Sequence, residues 1–189
     1  MPIHDILQLG NPLLRGIAQP VTDSASSEVA ALLADLRDTL AHCRATTTYG
    51  RAIAAPQIGV LKRLIVIDTS PRQPEQKLIH LVNPEIVKVE GKLTYTEGCL
   101  SIPGEAEDVD RAAKVWVRAL GRDGKPFEIV AEGDLLAVAL QHEHDHLQGT
   151  LFVDHLSSLK RELIKRRMKK MKAQRLADIR DAPRHESAL

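Results

Sequence analysis

The chain has 189 residues, 43% hydrophobic and 27% charged, with a formal net charge of +1; this fits one soluble globular domain with a real core. The near-neutral total excludes a global field for nucleic acid or membrane, and no apolar run is long enough to span a bilayer. Its two cysteines, Cys43 and Cys99, give no disulfide framework and point to a reducing cytoplasm, where a thiolate survives as a metal ligand.

The first residues, MPIHDILQLG, carry neither the basic start nor the long apolar run of a secretory signal. From there to Asp23, Gly10, Pro12 and Pro20 predict extended or irregular chain. Residues 26–43 predict a helix: Ser26 or Ser27 can cap it, and Val29, Leu32, Leu33, Leu36, Leu40 and Cys43 recur at helical spacing. On that pattern Cys43 is a small core residue. The stretch 49–60, YGRAIAAPQIGV, is rich in Gly, Ala and Pro and has no regular period. Residues 63–68 form a compact buried strand, and 78–91 predict two short strands broken at Asn83–Pro84. Residues 114–120 and 126–133 flank Asp123–Gly124 as a hairpin. Residues 134–149 predict a helix with Asp134 as N-cap and Gly149 as its stop, apolar nearly all round its first half and therefore buried.

Residues 156–175 predict a basic helix with an apolar stripe of Leu156, Leu159, Leu163 and Met171. Lys160 to Arg175 holds nine Lys/Arg against one Glu, a net +8, which leaves −7 for the remainder of a chain totalling +1. The charge is thus polarised. The expected organisation is one catalytic domain over 1–170, including the start of the basic helix, and a C-terminal extension over 171–189 that frays after Ala177.

The 134–149 helix ends in QHEHDHLQG. His142-Glu143-x-x-His146 places two imidazoles one helical turn apart, so both can face one ion. Glu143 beside them can accept a proton from a bound water. His144 lies about 200° around the helix from either neighbour and faces away; Asp145 is off the ligand face, in a supporting or salt-bridge role. The alternative is that these histidines sit on a solvated face or hydrogen-bond to backbone. A buried helix argues for the metal, because unsatisfied imidazoles in a core cost a few kcal/mol. A catalytic site wants a third protein ligand. Downstream, His155 and Glu162 miss the extended peptidase frame, since position 152 is Phe152. Upstream, Cys99 in EGCLSIPG (97–104) stands on what predicts as a short pliant loop, although a lone cysteine is commonly inert core.

GRAIAAPQ (50–57), EGCLS (97–101) and QHEHDH (141–146) resemble, in order and spacing, the three signature motifs of the peptide deformylases, roughly G-x-G-φ-A-A-x-Q, E-G-C-φ-S and H-E-x-D-H. The likeness extends over most of the chain, to about residue 170. The resemblance implies an α+β fold of small antiparallel and mixed sheets around the central HExxH helix, plus a C-terminal helix. It implies removal of the formyl group from formyl-methionyl nascent polypeptides through a metal-bound hydroxide. It implies a metal held by Cys99, His142 and His146, with Fe²⁺ the usual ion and Zn²⁺, Ni²⁺ or Co²⁺ as substitutes. Glu143 is then the proton carrier, and the Gln57 amide with the Leu100 backbone N–H supports the oxyanion. Gly50, Arg51, Ala52, Glu97, Gly98 and Arg111 match substrate-side positions; for Glu97 and Arg111 a structural ion pair is the other reading.

The first motif departs from the pattern. Arg51 stands where an apolar residue is usual, and Ala52 replaces the second glycine. A positive φ or close backbone approach at 52 would make that methyl costly, so Ala52→Gly is expected to raise turnover. Two other functions stay open: a zinc endopeptidase, which needs neither Cys99 nor Gln57, and a relative with altered substrate or low activity. The basic helix is either a solvated face or a dock for ribosomal RNA near the nascent chain; 3% aromatics favours phosphate contact over sequence-specific nucleic-acid reading. No membrane partner is expected.

Overall fold

The computed structural model describes residues 2–47, 49–70 and 78–181. Helix α1 spans Ser27–Thr47. Ser26 caps it, its hydroxyl accepting from Val29 N at 3.3 Å. Its buried face, Val29, Leu33, Leu36 and Leu40, packs on Ile53, Leu64, Val66 and Val82. Cys43 is only half-buried, so it sits at the rim of this cluster and not in the core as its spacing suggests.

The irregular 49–60 stretch contains a short strand, β1 (Ala52–Ala54), followed by a 3₁₀ turn, Ala55–Ile58. With β2 (Leu64–Ile67), β3 (Ile79–Glu90), β6 (Lys114–Leu120) and β7 (Pro126–Glu132) it forms a five-stranded sheet ordered β1-β2-β3-β6-β7, antiparallel throughout. The expected break at Asn83–Pro84 is instead an irregularity within one strand. Asn83 takes φ 52°, and its side-chain amide is held by Val21, accepting from Val21 N and donating to Val21 O, both at 2.8 Å. The register shifts there and pairing with β6 resumes. The 114–132 hairpin forms as predicted, with Gly124 at φ 75°.

A second sheet pairs β4 (Leu93–Cys99) with β5 (Ile102–Arg111). This corrects the loop expected at 97–104: Cys99 ends a strand. The sheet was missed because its exposed positions are Thr, Gly, Ala and Asp, types depleted in strands except threonine, and only Val109 and Ile102 are fully buried apolar residues in β5.

Helix α2 spans Leu135–Leu147, with the Asp134 carboxylate accepting from Ala137 N at 2.8 Å. Leu136, Ala137, Leu140 and Leu147 pack on Ile65, Ile67, Leu81 and Val117. Beyond it the chain turns at Gly149, φ 70°, where a Cβ would lie 2.5 Å from the Arg15 carbonyl oxygen; only glycine fits. Helix α3 spans Ser158–Asp181, past the expected end at 175. Residues 171–181 of the expected extension are therefore helical, and 182–189 lie outside the described residues. The apolar stripe also differs. Ile164 and Met168 are buried, together with Leu156 before the helix, whereas Leu159, Leu163 and Met171 are exposed. Ile164, Met168 and Leu156 join the apolar cluster of Ile102, Val109 and Phe152, and ion pairs from Lys160 to Glu107 and Arg167 to Glu105 flank this contact with β5. Among the described residues no helix is long and apolar enough to cross a membrane.

Candidate metal centre

Where β4 ends against α2, Cys99, His142 and His146 offer ligand atoms within 4.8 Å of one another, all three residues buried. Cys99 Sγ lies 3.3 Å from His146 Nε2. His142 Nδ1–H donates to Glu97 Oε2 at 2.7 Å, which leaves Nε2 as the nitrogen that could face an ion. A carboxylate behind a histidine fixes tautomer and ring orientation in metal sites. Phe152 stacks on the same ring, with centroids 6.3 Å apart.

The electrostatics fit a cation. Burial alone would depress His142, but the Cys99 sulfur and Glu97 more than offset it and draw His142 well above the ordinary histidine value. His146 goes the other way, well below that value, through burial and the neighbouring His142 charge. The cluster thus accommodates one positive charge between a sulfur and a carboxylate. One thiolate and two imidazoles also match the three-ligand sets of catalytic sites with an open position.

Glu97 is held in turn by Arg111, whose Nε and Nη2 donate to its two oxygens at 2.6 and 3.0 Å. Arg111 Nη1 donates to Asp145 Oδ2 at 2.6 Å, and His155 Nε2 meets the same oxygen at 2.7 Å. Arg111 is therefore not among the residues lining the cavity; the structural ion pair is what the geometry places here. His144 turns away from the cluster, its Nε2 3.5 Å from Arg63 Nη2.

The cluster opens into a cavity of about 380 Å³, lined by Gly50, Arg51, Ala52, Gln57, Glu97, Gly98, Leu100, His142 and Glu143 among others. Leu135, Val138, Ala139 and Ile102 supply apolar wall. Glu143 is 4% exposed and its Oε2 is buried with no hydrogen-bond partner; burial, aided by Glu97 and Asp145 and opposed by His142, pushes its carboxyl up to about 7. Gln57 is oriented at both ends. Its Oε1 accepts from Ala54 N at 2.9 Å, and its Nε2 donates to Ser101 Oγ at 3.2 Å, 3.6 Å from Cys99 Sγ. Ser101, fully buried, also donates its backbone N–H to the Cys99 sulfur at 3.4 Å. Ser101 and Phe152 are the supporting residues that sequence reasoning left without a role; the serine of EGCLS was the available signal.

In the first motif, Gly50 takes φ 102° with Leu100 Cδ2 3.2 Å from where a Cβ would stand. Ala52 is an ordinary strand residue paired with Ile67, and among described non-glycine residues only Asn83 has positive φ. Positive φ therefore supplies no strain at 52 for Ala52→Gly to relieve. The substitution should instead leave turnover within about two-fold and cost ~0.5–1 kcal/mol of stability, the ordinary penalty of glycine in a strand. Thermal melts and steady-state kinetics on the pair check this.

The Polypeptide deformylase family profile matches residues 3–162. A peptide deformylase of Stutzerimonas stutzeri is 45% identical over 175 residues, covering 92% of this chain and 99% of its own. A crystal structure of a peptide deformylase from Legionella pneumophila superposes with a TM-score of 0.83 at 46% identity, over 93% of this chain and 98% of the other. The Ehrlichia chaffeensis peptide deformylase, in complex with actinonin, gives a TM-score of 0.82 at 31% identity over 90% and 98%.

Proposed function

Because the chain belongs to the polypeptide deformylase family, we propose that it hydrolyses the formyl amide of formyl-methionyl peptides, with Cys99, His142 and His146 as metal ligands. The observation that carries this is the convergence of that sulfur and two imidazoles on one point beside a cavity bordered by Glu143 and Gln57. A bound divalent metal supplies a water of lowered pKa and polarises the formyl oxygen.

The chain's own residues do the rest. Glu143, raised toward neutrality, takes the proton from the attacking water and returns one to the departing amine. The Gln57 amide, locked by Ala54 and Ser101, and the Leu100 backbone N–H stabilise the oxygen that turns negative. Charge that develops in a dry cavity is best met by donors already in place. Leu135, Val138 and Ala139 give the methionine side chain an apolar wall. β1 is the sheet's edge strand, and Gly50, Arg51 and Ala52 beside the cavity offer backbone for a peptide to pair with as an added strand; Gly98 borders it from β4.

Replacing Gln57 by leucine should lower kcat by ~10²–10³ with KM little changed, the usual loss for one oxyanion donor. Stopped-flow or steady-state formate assays read this directly. The whole reading is tested by formate release from a formyl-Met tripeptide on metal-replete protein. Formate without cleavage of internal peptide bonds supports it; cleavage of an unformylated peptide without formate points to the endopeptidase.

We assign Fe²⁺ as the native ion and the cytoplasm as the compartment on the resemblance, with Zn²⁺, Ni²⁺ or Co²⁺ as substitutes in the mixed S/N donor set. Docking of α3 on ribosomal RNA is supported by its net basic charge and exposed outer face. Co-sedimentation with ribosomes that weakens with salt would bear it out; salt-independent sedimentation would refute it.

A further inference from the structure

His155 lies outside the donor cluster and outside the cavity lining, yet an unbroken path of polar contacts joins it to the centre. Its Nε2 stands 2.7 Å from Asp145 Oδ2. A carboxylate oxygen accepts, so Nε2 carries the proton and donates. The same oxygen accepts from Arg111 Nη1 at 2.6 Å. Arg111 Nε and Nη2 donate to the two oxygens of Glu97 at 2.6 and 3.0 Å. Glu97 Oε2 in turn accepts from His142 Nδ1 at 2.7 Å. Side-chain exposure falls along the path, from 35% at His155 to 20% at Asp145, 5% at Arg111 and 2% at Glu97. His155 is thus the outer end of a path that closes on a metal ligand, and the one member that can be changed without opening the core.

The turn that carries His155 meets His142 a second time. Phe152 opens the same 3₁₀ turn, Phe152–His155, and its ring stacks on the His142 ring at an interplanar angle of 22°. Asp154, between the two, ties the turn to Arg15 and accepts from Leu151 N at 2.8 Å. One four-residue turn therefore touches His142 on its ring face and reaches its Nδ1–H through three side chains.

We propose that His155 is a positioning residue: by donating to Asp145 it completes the hydrogen-bond path through Arg111 and Glu97 that orients His142 toward the ion. This rests on the deformylase reading and its metal ligands. Without the His155 N–H, Asp145 Oδ2 keeps Arg111 as its only side-chain donor among the described residues. The guanidinium is then drawn toward Asp145 and away from Glu97, and the carboxylate that fixes His142 loosens.

The test is the zinc Kd of native, H155F and H155Q protein, measured on zinc-loaded samples by chelator competition. Phenylalanine keeps a ring and removes the donor; glutamine places an amide N–H where Nε2 stands. A direct partner of a ligating histidine is worth ~10–100-fold in affinity; His155 acts three side chains further out, so H155F should weaken zinc about five-fold, with H155Q within about two-fold of native. The His142 Nδ1–H proton, followed by NMR in the zinc-loaded protein, should exchange with water faster in H155F and not in H155Q. H155N, whose amide is one bond too short to reach, takes the place of H155F if that variant fails to fold. A Kd within about two-fold of native in the donor-less variant, or one in H155Q as weak as in H155F, would overturn the proposal. Zinc binding and formate release by the native chain, measured alongside, separate this failure from failure of the deformylase reading.

Discussion

Glutamine in place of Glu143 should slow formate release by ~10²–10⁴-fold, the span of a lost general acid–base, with metal content unchanged at one ion per chain. The substitution keeps size and removes the proton acceptor. Glu143 lies outside the donor cluster, so the ion should stay. Its side chain is buried, its Oε2 makes no hydrogen bond, and its carboxyl is pushed up to about 7 by desolvation; a carboxyl tuned so near neutrality can both take and give a proton during turnover. Metal analysis and steady-state kinetics on the same sample check both halves. An unchanged rate would remove Glu143 from the chemistry, and loss of metal would make it a structural support.

The second large effect is one of stability. Arg111→Met should destabilise the fold by about 3–5 kcal/mol, because it leaves buried carboxylates without their counter-charge. Arg111 and Glu97 have side chains 5% and 2% exposed, and the same guanidinium also holds Asp145. Burial pushes Glu97 up, yet hydrogen bonds from His142 and Arg111 outweigh it and hold Glu97 below its ordinary 4.5. A carboxylate so depressed contributes stability that is full above that value and is lost as pH falls through its folded value. In the variant the acid-side loss should begin at higher pH. Metal affinity should also fall by ~10–100-fold, since the carboxylate that orients His142 is itself released. Urea unfolding across pH, with and without added metal, measures all three.

The helical parts of the site were legible because their signals are local. Asp134 and Gly149 bracket α2, and the turn between His142 and His146 follows from helical geometry alone. Cys99 stands out as an upstream ligand candidate from the residues themselves, but the sheet that carries it does not, since the acidic partner strand, IPGEAEDVDR, has no regular alternation of apolar and polar residues. Asn83 shows the reverse case. An Asn–Pro pair reads as a break, but a tertiary contact with Val21 carries the strand through it. The burial face of α3 was misread for a similar reason: Leu159 and Leu163 look like core, yet the tertiary cluster of Ile102, Val109 and Phe152 takes Ile164 and Met168 instead. Ala52 replaces a motif glycine, and its backbone is regular because pairing with Ile67 sets it.

X-ray absorption at the metal edge of zinc-loaded protein is the most direct measurement. The account predicts a four-coordinate ion with one sulfur at about 2.3 Å and two imidazole nitrogens at about 2.0 Å, the remaining ligand being light. A shell of nitrogen and oxygen with no sulfur, or a sulfur signal that survives Cys99→Ala, would contradict it.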